Sequence, residues 1–218
     1  LLPFVDSKGN FGKQYSRDMA YAAPRYTEVK LAKVCAEIFR DIDKDTVDFV
    51  DNFDGTMKEP TLLPTTFPNI LVNPNLGIAV GMASSICSFN LSEVCDAAMA
   101  YLKDENANMG DYLKGPDFST GGQVVYDEKE FQKIYETGRG GFKLRAKYRF
   151  DEKHNCIEIY EIPYSTNIET IIDKVIQLVK TGKIKEVTDI RDETDLNGLK
   201  IAIDVKKSTN VELLMNKL

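Results

Sequence analysis

One stretch of this sequence, residues 142–150, alternates strictly between apolar and basic side chains. Lys143, Arg145, Lys147 and Arg149 are its basic members, and apolar residues stand on both sides of each. Because successive side chains on a β-strand point to opposite faces, the alternation predicts a strand with one apolar and one basic face. Such a strand buries its apolar face against another layer, so we expect the chain to fold around an antiparallel sheet.

Other segments predict the elements that accompany this strand. The turn at residues 152–155 returns the chain, and residues 199–205 alternate as a further strand. Thr166 and Glu169 have the spacing of a capping box, and they open an apolar helix that Gly182 closes. Helices that accompany antiparallel strands indicate the α+β class.

The basic face of the 142–150 strand has two interpretations, and the sequence leaves both open. The face is either solvated and paired with acids such as Glu158 on the returning strand, or it contacts a nucleic-acid backbone. Lys143, Arg145 and Lys147 are therefore candidate DNA-binding residues.

Bulk composition limits the classes of function without selecting one. The chain has 218 residues, of which 43% are hydrophobic, and a formal net charge of −6. No apolar run is long enough to span a bilayer, and four scattered cysteines favour free thiols in a reducing cytoplasm. The acidic total is unusual for a DNA-binding domain. However, residues 9–33 hold five basic and two acidic residues, so this segment is locally basic.

Within that basic segment, residues 22–28 place Arg25 beside Tyr26 at an expected helix start. Pro24 favours a helix that begins just after it, and Thr27 is the candidate N-cap. Apolar residues follow at helical spacing: Val29, Leu31, Val34, Cys35, Ile38, Phe39 and Ile42. At the mouth of this helix Tyr26 would meet free amides, which favour a phosphate or a phenolate.

A calcium loop at Asp41, Asp43 and Asp45 is considered and rejected. The glycine and the final glutamate that an EF-hand needs are replaced here by Thr46 and Asn52. A solvated acidic segment is the interpretation we adopt, and we expect no metal site in this chain.

The tetrapeptide Arg25-Tyr26-Thr27-Glu28 resembles the active-site signature of the A subunits of bacterial type IIA topoisomerases, DNA gyrase and topoisomerase IV. Further segments similar to this family follow in the family's order along nearly the whole chain: residues 9–12, 45–50, 59–61, 67–69, 77–83, 115–118, 137–140, 161–164 and 191–193. The loop Lys13–Asp18 departs from the common pattern, and Pro24 stands in place of a usual methionine.

The resemblance implies a domain organisation. Residues 1–50 correspond to the tail of a winged-helix domain that carries the active-site tyrosine. Residues 51–218 correspond to a mixed α/β tower domain with an antiparallel sheet, and we expect both ends of the chain to lie inside a longer protein.

The resemblance also implies an activity, an ATP-dependent type II topoisomerase that cleaves and rejoins double-stranded DNA. Tyr26 would attack a backbone phosphate and form a 5′-phosphotyrosyl link, and Arg25 would hold that phosphate. Mg²⁺ and ATP would be bound by a separate B subunit, the A subunit would form a homodimer, and the enzyme would act at the cytoplasmic nucleoid. We expect this chain by itself to be inactive.

For DNA contact, the resemblance singles out Ile78. In the family the corresponding isoleucine wedges between base steps and bends the duplex. From the residues alone, Ile78 is more typical of a buried strand position. Lys13 and Arg17, in the basic loop before the tyrosine, are further candidate DNA contacts.

The sequence also allows two alternatives to a topoisomerase subunit. One is a DNA-binding scaffold module without catalysis of its own. The other is a tyrosine recombinase, but such enzymes need several Arg and His residues, and the single histidine, His154, falls in a turn. The sequence does not distinguish gyrase from topoisomerase IV.

Overall fold

The computed structural model describes residues 3–218, which form two compact units. Unit 1 comprises the segment ending at Phe11 together with Ala22–Asp117. Unit 2 comprises Gly12–Tyr21 and Phe118–Leu218. These bounds differ from the division at residue 50, which stays a prediction about the family's domains.

Unit 1 is built from three separate two-stranded antiparallel sheets and two α-helices. Its elements are β1 (Val5–Lys8), β2 (Glu28–Leu31), α1 (Cys35–Ile38), β3 (Phe49–Asp51), β4 (Lys58–Pro60), β5 (Asn75–Ala79), β6 (Met82–Ile86) and α2 (Leu91–Lys103). Short 3₁₀ helices occupy Pro24–Tyr26, Asn69–Leu71 and Met109–Asp111. β1 pairs with β2, β3 with β4, and β5 with β6.

Unit 2 is built around a four-stranded antiparallel sheet. Its elements are β7 (Gln123–Val125), α3 (Glu128–Thr137), β8 (Lys143–Arg145), β9 (Lys147–Asp151), β10 (Cys156–Glu161), α4 (Ile168–Lys180), β11 (Val187–Asp192), β12 (Ile201–Val205) and α5 (Val211–Lys217). The strand order is β11-β12-β10-β9, and β7 pairs with β8 in a separate two-stranded sheet. The α+β class is therefore confirmed, whereas the winged-helix and tower descriptions stay predictions.

The core of unit 2 lies between one face of this sheet and the helices α4 and α5. Ile157 and Ile159 of β10 and Ile201 and Ile203 of β12 are buried there, because alternate residues of each strand face the same side. The helices contribute Ile168, Val175 and Leu214. The predicted strand at residues 199–205 is confirmed as β12.

The predicted strand at residues 142–150 is only partly right, because the structure divides it at Ala146. β8 pairs with β7, whereas β9 pairs with β10. The alternation is real in both pieces, but a period-two pattern cannot reveal that two neighbouring pieces join different sheets.

The predicted helix of unit 2 is confirmed, with a correction at its start. The N-cap of α4 is Asn167, whose side chain accepts a hydrogen bond from the Thr170 amide at 2.9 Å. Thr166 stands outside the cap, and Glu169 makes contacts elsewhere. Gly182 follows the helix with φ +71°, the left-handed conformation that ends many helices.

Two further findings concern the cysteines and the helices. The four cysteines are unpaired, as the sequence predicts for free thiols. Among the helices of residues 3–218, none has the length and apolar character needed to cross a membrane.

The packing of unit 2 yields a stability prediction. Ile203→Ala removes a fully buried side chain from the centre of the core, and it should lower the free energy of unfolding by about 2–5 kcal/mol. Leu196→Ala, at a fully exposed loop position, is the control and should change it by less than about 0.5 kcal/mol. Urea denaturation followed by circular dichroism measures both, and equal effects would contradict the assigned core.

Candidate active site

The tyrosine lies in a single 3₁₀ turn, Pro24–Tyr26. The Tyr26 amide donates to the Ala23 carbonyl at 2.9 Å, and Pro24 fills the first helical position, where no donor is needed. The amide and hydroxyl of Thr27 both donate to the Pro24 carbonyl, at 3.1 and 2.9 Å. Thr27 therefore closes the turn, and its predicted role as an N-cap is wrong.

The helix predicted after Tyr26 is also wrong over its first part. Glu28–Leu31 is strand β2, which pairs with β1, and Val29 and Leu31 are exposed. The α-helix that comes next is the short α1, where Cys35 and Ile38 are buried as predicted. Val29 and Leu31 fit the spacing of a helix, but they also fit the two-residue period of a strand. Pairing with β1 selects the strand.

A glycine allows the strand pairing to continue up to the tyrosine. Gly9 follows β1 with φ +98°, a conformation that side chains disfavour. A Cβ atom at this position would lie 2.6 Å from the Tyr26 carbonyl oxygen. Only a residue without a side chain fits between these two backbone segments, so Gly9 helps to set the position of the turn.

Arg25 and Tyr26 form an exposed pair on this turn. The guanidinium carbon of Arg25 lies 4.8 Å from the centre of the Tyr26 ring, within the range of a cation–π contact. Tyr26 keeps 66% of its surface exposed, so its hydroxyl is open to a large substrate. In residues 3–218 no carboxylate forms an ion pair with Arg25. Its charge is therefore available for a phosphate.

Ile78 projects from a hairpin of the same unit. It lies in β5, opposite Ala83 of β6. Its side chain is 83% exposed, so the alternative of a buried strand residue is wrong. Leu76, Val80 and Met82 are also exposed, and they give this hairpin an apolar surface.

Lys13 and Arg17 lie in a loop, Gly12–Tyr21, that belongs to unit 2. Lys13 is exposed, whereas Arg17 lies 3.9 Å from a Glu169 carboxylate oxygen and 3.7 Å from one of Asp173. The five basic candidates thus all belong to unit 2, and Arg25, Tyr26 and Ile78 belong to unit 1.

The basic face of the 142–150 segment is largely neutralised by acids. Arg149 pairs with Glu158, and Lys147 pairs with Glu161 at 2.9 Å. Arg145 donates to the side-chain oxygen of Asn216 at 3.0 Å and forms no ion pair with any described carboxylate. Lys143 is exposed on β8. Arg149 and Lys147 are therefore paired with acids, and DNA contact stays a prediction for Lys143, Arg145 and Lys147.

An ion-pair network extends from Arg149 across the outer face of the sheet. Lys200 contacts Glu158 at 2.8 Å and Glu193 at 2.9 Å, and Arg191 contacts Glu193 at 2.7 Å. Hydrogen bonds from Lys200 and Arg149 lower the pKa of Glu158, and those to Glu158 and Glu193 raise the pKa of Lys200. These basic and acidic groups neutralise one another, so the outer face of the sheet is poorly suited to bind a polyanion.

The described residues contain no cluster of three His, Cys, Asp or Glu side chains that could hold a metal ion. Around Tyr26 the chain offers a guanidinium, and within residues 3–218 it offers no set of oxygen ligands of the kind that Mg²⁺ prefers. These residues therefore do not fit a magnesium site.

Comparison with known proteins matches the chain over residues 1–218 to the family of the DNA gyrase/topoisomerase IV A subunits. Among curated relatives, the DNA gyrase A subunit of Halalkalibacterium halodurans is 44% identical over 98% of this chain, and that of Ureaplasma parvum is also 44% identical over 98%. The corresponding gyrase chain of Mycoplasma genitalium is 43% identical over 98% of this chain.

The chain belongs to the family of DNA gyrase/topoisomerase IV A subunits. The match confirms the family to which the Arg25-Tyr26-Thr27-Glu28 signature points. The chain spans 26% of the length of these three relatives.

For this member of the DNA gyrase/topoisomerase IV A-subunit family, the sequence points to the Arg25–Tyr26 pair but not to two residues that shape the surroundings. Gly9 belongs to the family-like segment 9–12, but the sequence alone gives it no role, although a glycine in such a segment can mark a special backbone position. Glu169 was assigned to a capping box, and only the structure shows that its carboxylate holds residues 16–18. No local sequence signal connects positions that lie so far apart in the chain.

The contact at Gly9 leads to a prediction for this family member. Gly9→Ala should lower the free energy of unfolding by about 2–4 kcal/mol, because it combines a disfavoured φ with a clash against the Tyr26 carbonyl. Gly55→Ala is the matched control: φ is +69° and a Cβ meets nothing within 4 Å, so it should cost about 1–2 kcal/mol. Chemical denaturation of both variants measures the difference. The absence of a larger cost at Gly9 would contradict the close approach.

A second prediction concerns the exposed Ile78. Ile78→Ala should leave the melting temperature within about 1 °C of the wild type, because truncation of an exposed side chain creates no cavity. Ile38→Ala in the same unit is the buried control and should cost about 2–5 kcal/mol. Differential scanning calorimetry without DNA compares the two, and a large drop for Ile78→Ala would show that Ile78 packs in a core.

Proposed function

We propose that this chain is the part of a type IIA topoisomerase A subunit that carries the nucleophile for DNA cleavage. The phenolic oxygen of Tyr26 attacks a backbone phosphorus, and the bond from phosphorus to the 3′ oxygen breaks. The tyrosine then holds the 5′ phosphate. The phenol loses its proton to solvent in the attack, and the departing 3′ oxygen takes up a proton from solvent, so the step balances. The reverse attack by the 3′ hydroxyl reseals the strand, and it needs no external energy because the phosphotyrosyl link conserves the bond energy.

The observation that carries this proposal is the exposed Arg25–Tyr26 pair on a fixed turn. The guanidinium lies 4.8 Å from the ring centre, so a phosphate that approaches the phenolic oxygen also approaches a cation. A charge placed in this way stabilises the negative charge that develops on the phosphoryl oxygens in the transition state. Arg25 is accordingly assigned the role of phosphate clamp.

We further propose that the β5–β6 hairpin contacts and bends the DNA. Its exposed Ile78 is suited to insert between base steps, and insertion of apolar side chains is a known way to kink a duplex. Unstacking one step costs a few kcal/mol, and the bent DNA recovers it through wider contact with protein. Lys143 and Arg145 supply candidate backbone contacts elsewhere on the chain.

The rest of the enzyme is proposed from the family to which the chain belongs. The complete A subunit would act as a homodimer with a B subunit, which would bind ATP and Mg²⁺, in the cytoplasm at the nucleoid. Within this assembly residues 1–50 would end a winged-helix domain, and residues 51–218 would form the tower domain.

The assignment of the nucleophile gives a direct prediction. In the complete A subunit, in complex with its B subunit, Tyr26→Phe should abolish covalent DNA attachment and leave DNA binding within about twofold, because only the attacking oxygen is lost. Tyr21→Phe is the matched control: Tyr21 is 76% exposed and close in sequence, and its loss should change nothing. Detergent trapping on labelled duplex DNA measures the covalent product. Attachment by the Tyr26→Phe protein would refute the assignment.

A separate prediction concerns Arg25. Arg25→Ala should reduce cleavage at saturating DNA by about a hundredfold, because it removes a charge that acts mainly in the transition state. Arg25→Lys should recover part of that loss, since an ammonium keeps the charge but not the forked geometry. Single-turnover cleavage of a nicked duplex compares them. If Arg25→Ala cleaves like the wild type, the arginine is not the phosphate clamp. If the wild-type assembly binds DNA but forms no covalent product, the chain is a scaffold and not a nuclease subunit.

A further inference from the structure

The β5–β6 hairpin is open to solvent on both of its faces. Within residues 75–85 only Gly77 is partly buried, and every other residue is exposed. Because an isolated two-stranded hairpin is at best marginally stable, its order depends on its base. There Ser88 and Phe89 are buried, and the Phe89 amide donates to the Leu71 carbonyl at 2.8 Å. The hairpin therefore extends into solvent from a base that is held within unit 1.

The strand register assigns the side chains of this hairpin to two faces. Residues that pair directly in an antiparallel ladder share a face, and successive residues along a strand alternate between faces. Ile78 pairs with Ala83, and Leu76 pairs with Ser85. These four residues therefore lie on one face. Leu76 stands on the same face as Ile78, the proposed wedge, and about 7 Å from it along the strand.

Leu76 and Ile78 together form an apolar surface that unit 1 does not cover. Leu76 is 69% exposed and Ile78 is 83% exposed. A single exposed leucine is ordinary on a protein surface. Two large apolar side chains side by side on a protruding hairpin form a contiguous patch, and such patches mark interaction sites.

The segment that carries the hairpin has no charged side chain. Residues 60–92 contain no Asp, Glu, Lys or Arg, although charged residues make up 28% of the chain. No carboxylate of this segment therefore repels a polyanion that approaches the apolar face. Ser85, on the same face, offers a hydroxyl group of the kind that hydrogen-bonds to phosphate or sugar regardless of base sequence.

The spacing of the two side chains places Leu76 next to the base step that Ile78 opens. Adjacent nucleotides of one DNA strand are about 3.4 Å apart along the helix axis, so a separation of about 7 Å corresponds to roughly two nucleotides. The groups that a side chain meets there, beyond the base edges, are the C–H groups of deoxyribose. A leucine that packs against them loses water from its apolar surface, which is favourable.

We propose that Leu76 is a second DNA-contacting residue, which packs against deoxyribose beside the step that Ile78 opens and so stabilises the bent duplex. The inference rests on the proposed function of Ile78 as a wedge. Because the contact is apolar and made to sugar, it favours DNA that bends easily over any particular base sequence. Leu76 has no part in the cleavage chemistry, so its removal should appear in DNA affinity and bending.

The test uses the complete A subunit in complex with its B subunit and a duplex that carries a fluorophore at each end. Leu76→Thr removes the apolar contact and keeps a residue that favours strands, whereas Leu76→Met keeps the apolar surface. Leu62→Thr is the matched control, because Leu62 is 72% exposed in the same unit and the same uncharged segment but lies outside the hairpin. DNA affinity, energy transfer between the duplex ends and the melting temperature without DNA are measured for each variant.

Leu76→Thr should keep the melting temperature within about 1 °C of the wild type, because truncation of an exposed side chain leaves no cavity. It should bind DNA about fivefold more weakly, with less energy transfer between the ends. Leu76→Met and Leu62→Thr should bind and bend DNA like the wild type. Adding Leu76→Thr to Ile78→Ala should weaken binding by less than about twofold, because the contact forms beside the opened step.

Wild-type affinity and bending in Leu76→Thr would overturn the inference, as would an equal loss in Leu62→Thr. A full additional loss in the double variant would show that Leu76 does not act at the opened step, which also overturns it. So would a weaker association of Leu76→Thr with the B subunit in the absence of DNA, because the face would then belong to a protein partner. If Ile78→Ala bends DNA like the wild type, the proposed wedge itself fails; if Ile78→Ala loses the bend and Leu76→Thr keeps it, only this inference fails.

Discussion

The pairing of β1 with β2 is the interaction on which the tyrosine site depends. It brings the segment ending at Lys8 against the segment beginning at Glu28, and the Pro24–Tyr26 turn lies at the end of that pairing. The approach is close enough that Gly9 has no room for a side chain against the Tyr26 carbonyl. The turn is therefore fixed by backbone contacts, and its side chains are free to face a substrate. The proposed attack on DNA would require an exposed side chain on a fixed backbone, because a large polymer must reach the phenolic oxygen without the site opening.

Charge is used differently in the two units. Around Tyr26 one cation, Arg25, stacks on the phenol ring and has no described carboxylate partner, so its charge remains for a phosphate. On the sheet of unit 2, by contrast, Arg149, Lys200 and Arg191 are each tied to acids. A count of basic residues cannot distinguish these two situations. Only the geometry shows which charges are already neutralised and which can still attract DNA.

Much of this could be predicted from the sequence where the signal was local. The strand at 199–205 and the helix ending at Gly182 follow from short-range patterns, and the structure has both of them. The Arg25–Tyr26 pair was singled out by the resemblance to the family's signature. Predictions failed where distant segments decide the outcome. Val29 and Leu31 fit both a helix and a strand, and pairing with β1 selects the strand. The basic alternating segment is divided because its halves join different sheets, and Glu169 leaves its expected cap to bind residues 16–18. Long-range pairing of this kind leaves no periodic trace in one sequence.

The central claim is that Tyr26 is the residue that becomes linked to DNA, and peptide mapping of the covalent adduct tests it most directly. The assembled enzyme is trapped on duplex DNA, treated with nuclease and digested with trypsin. Cleavage after Arg17, Arg25 and Lys30 separates three neighbouring tyrosines, because Tyr15, Tyr21 and Tyr26 then lie in different peptides. The account predicts a nucleotide mass on the peptide of residues 26–30, joined through its 5′ phosphate. A nucleotide on the peptide of residues 18–25 or 14–17, or on no peptide of this chain, would contradict it.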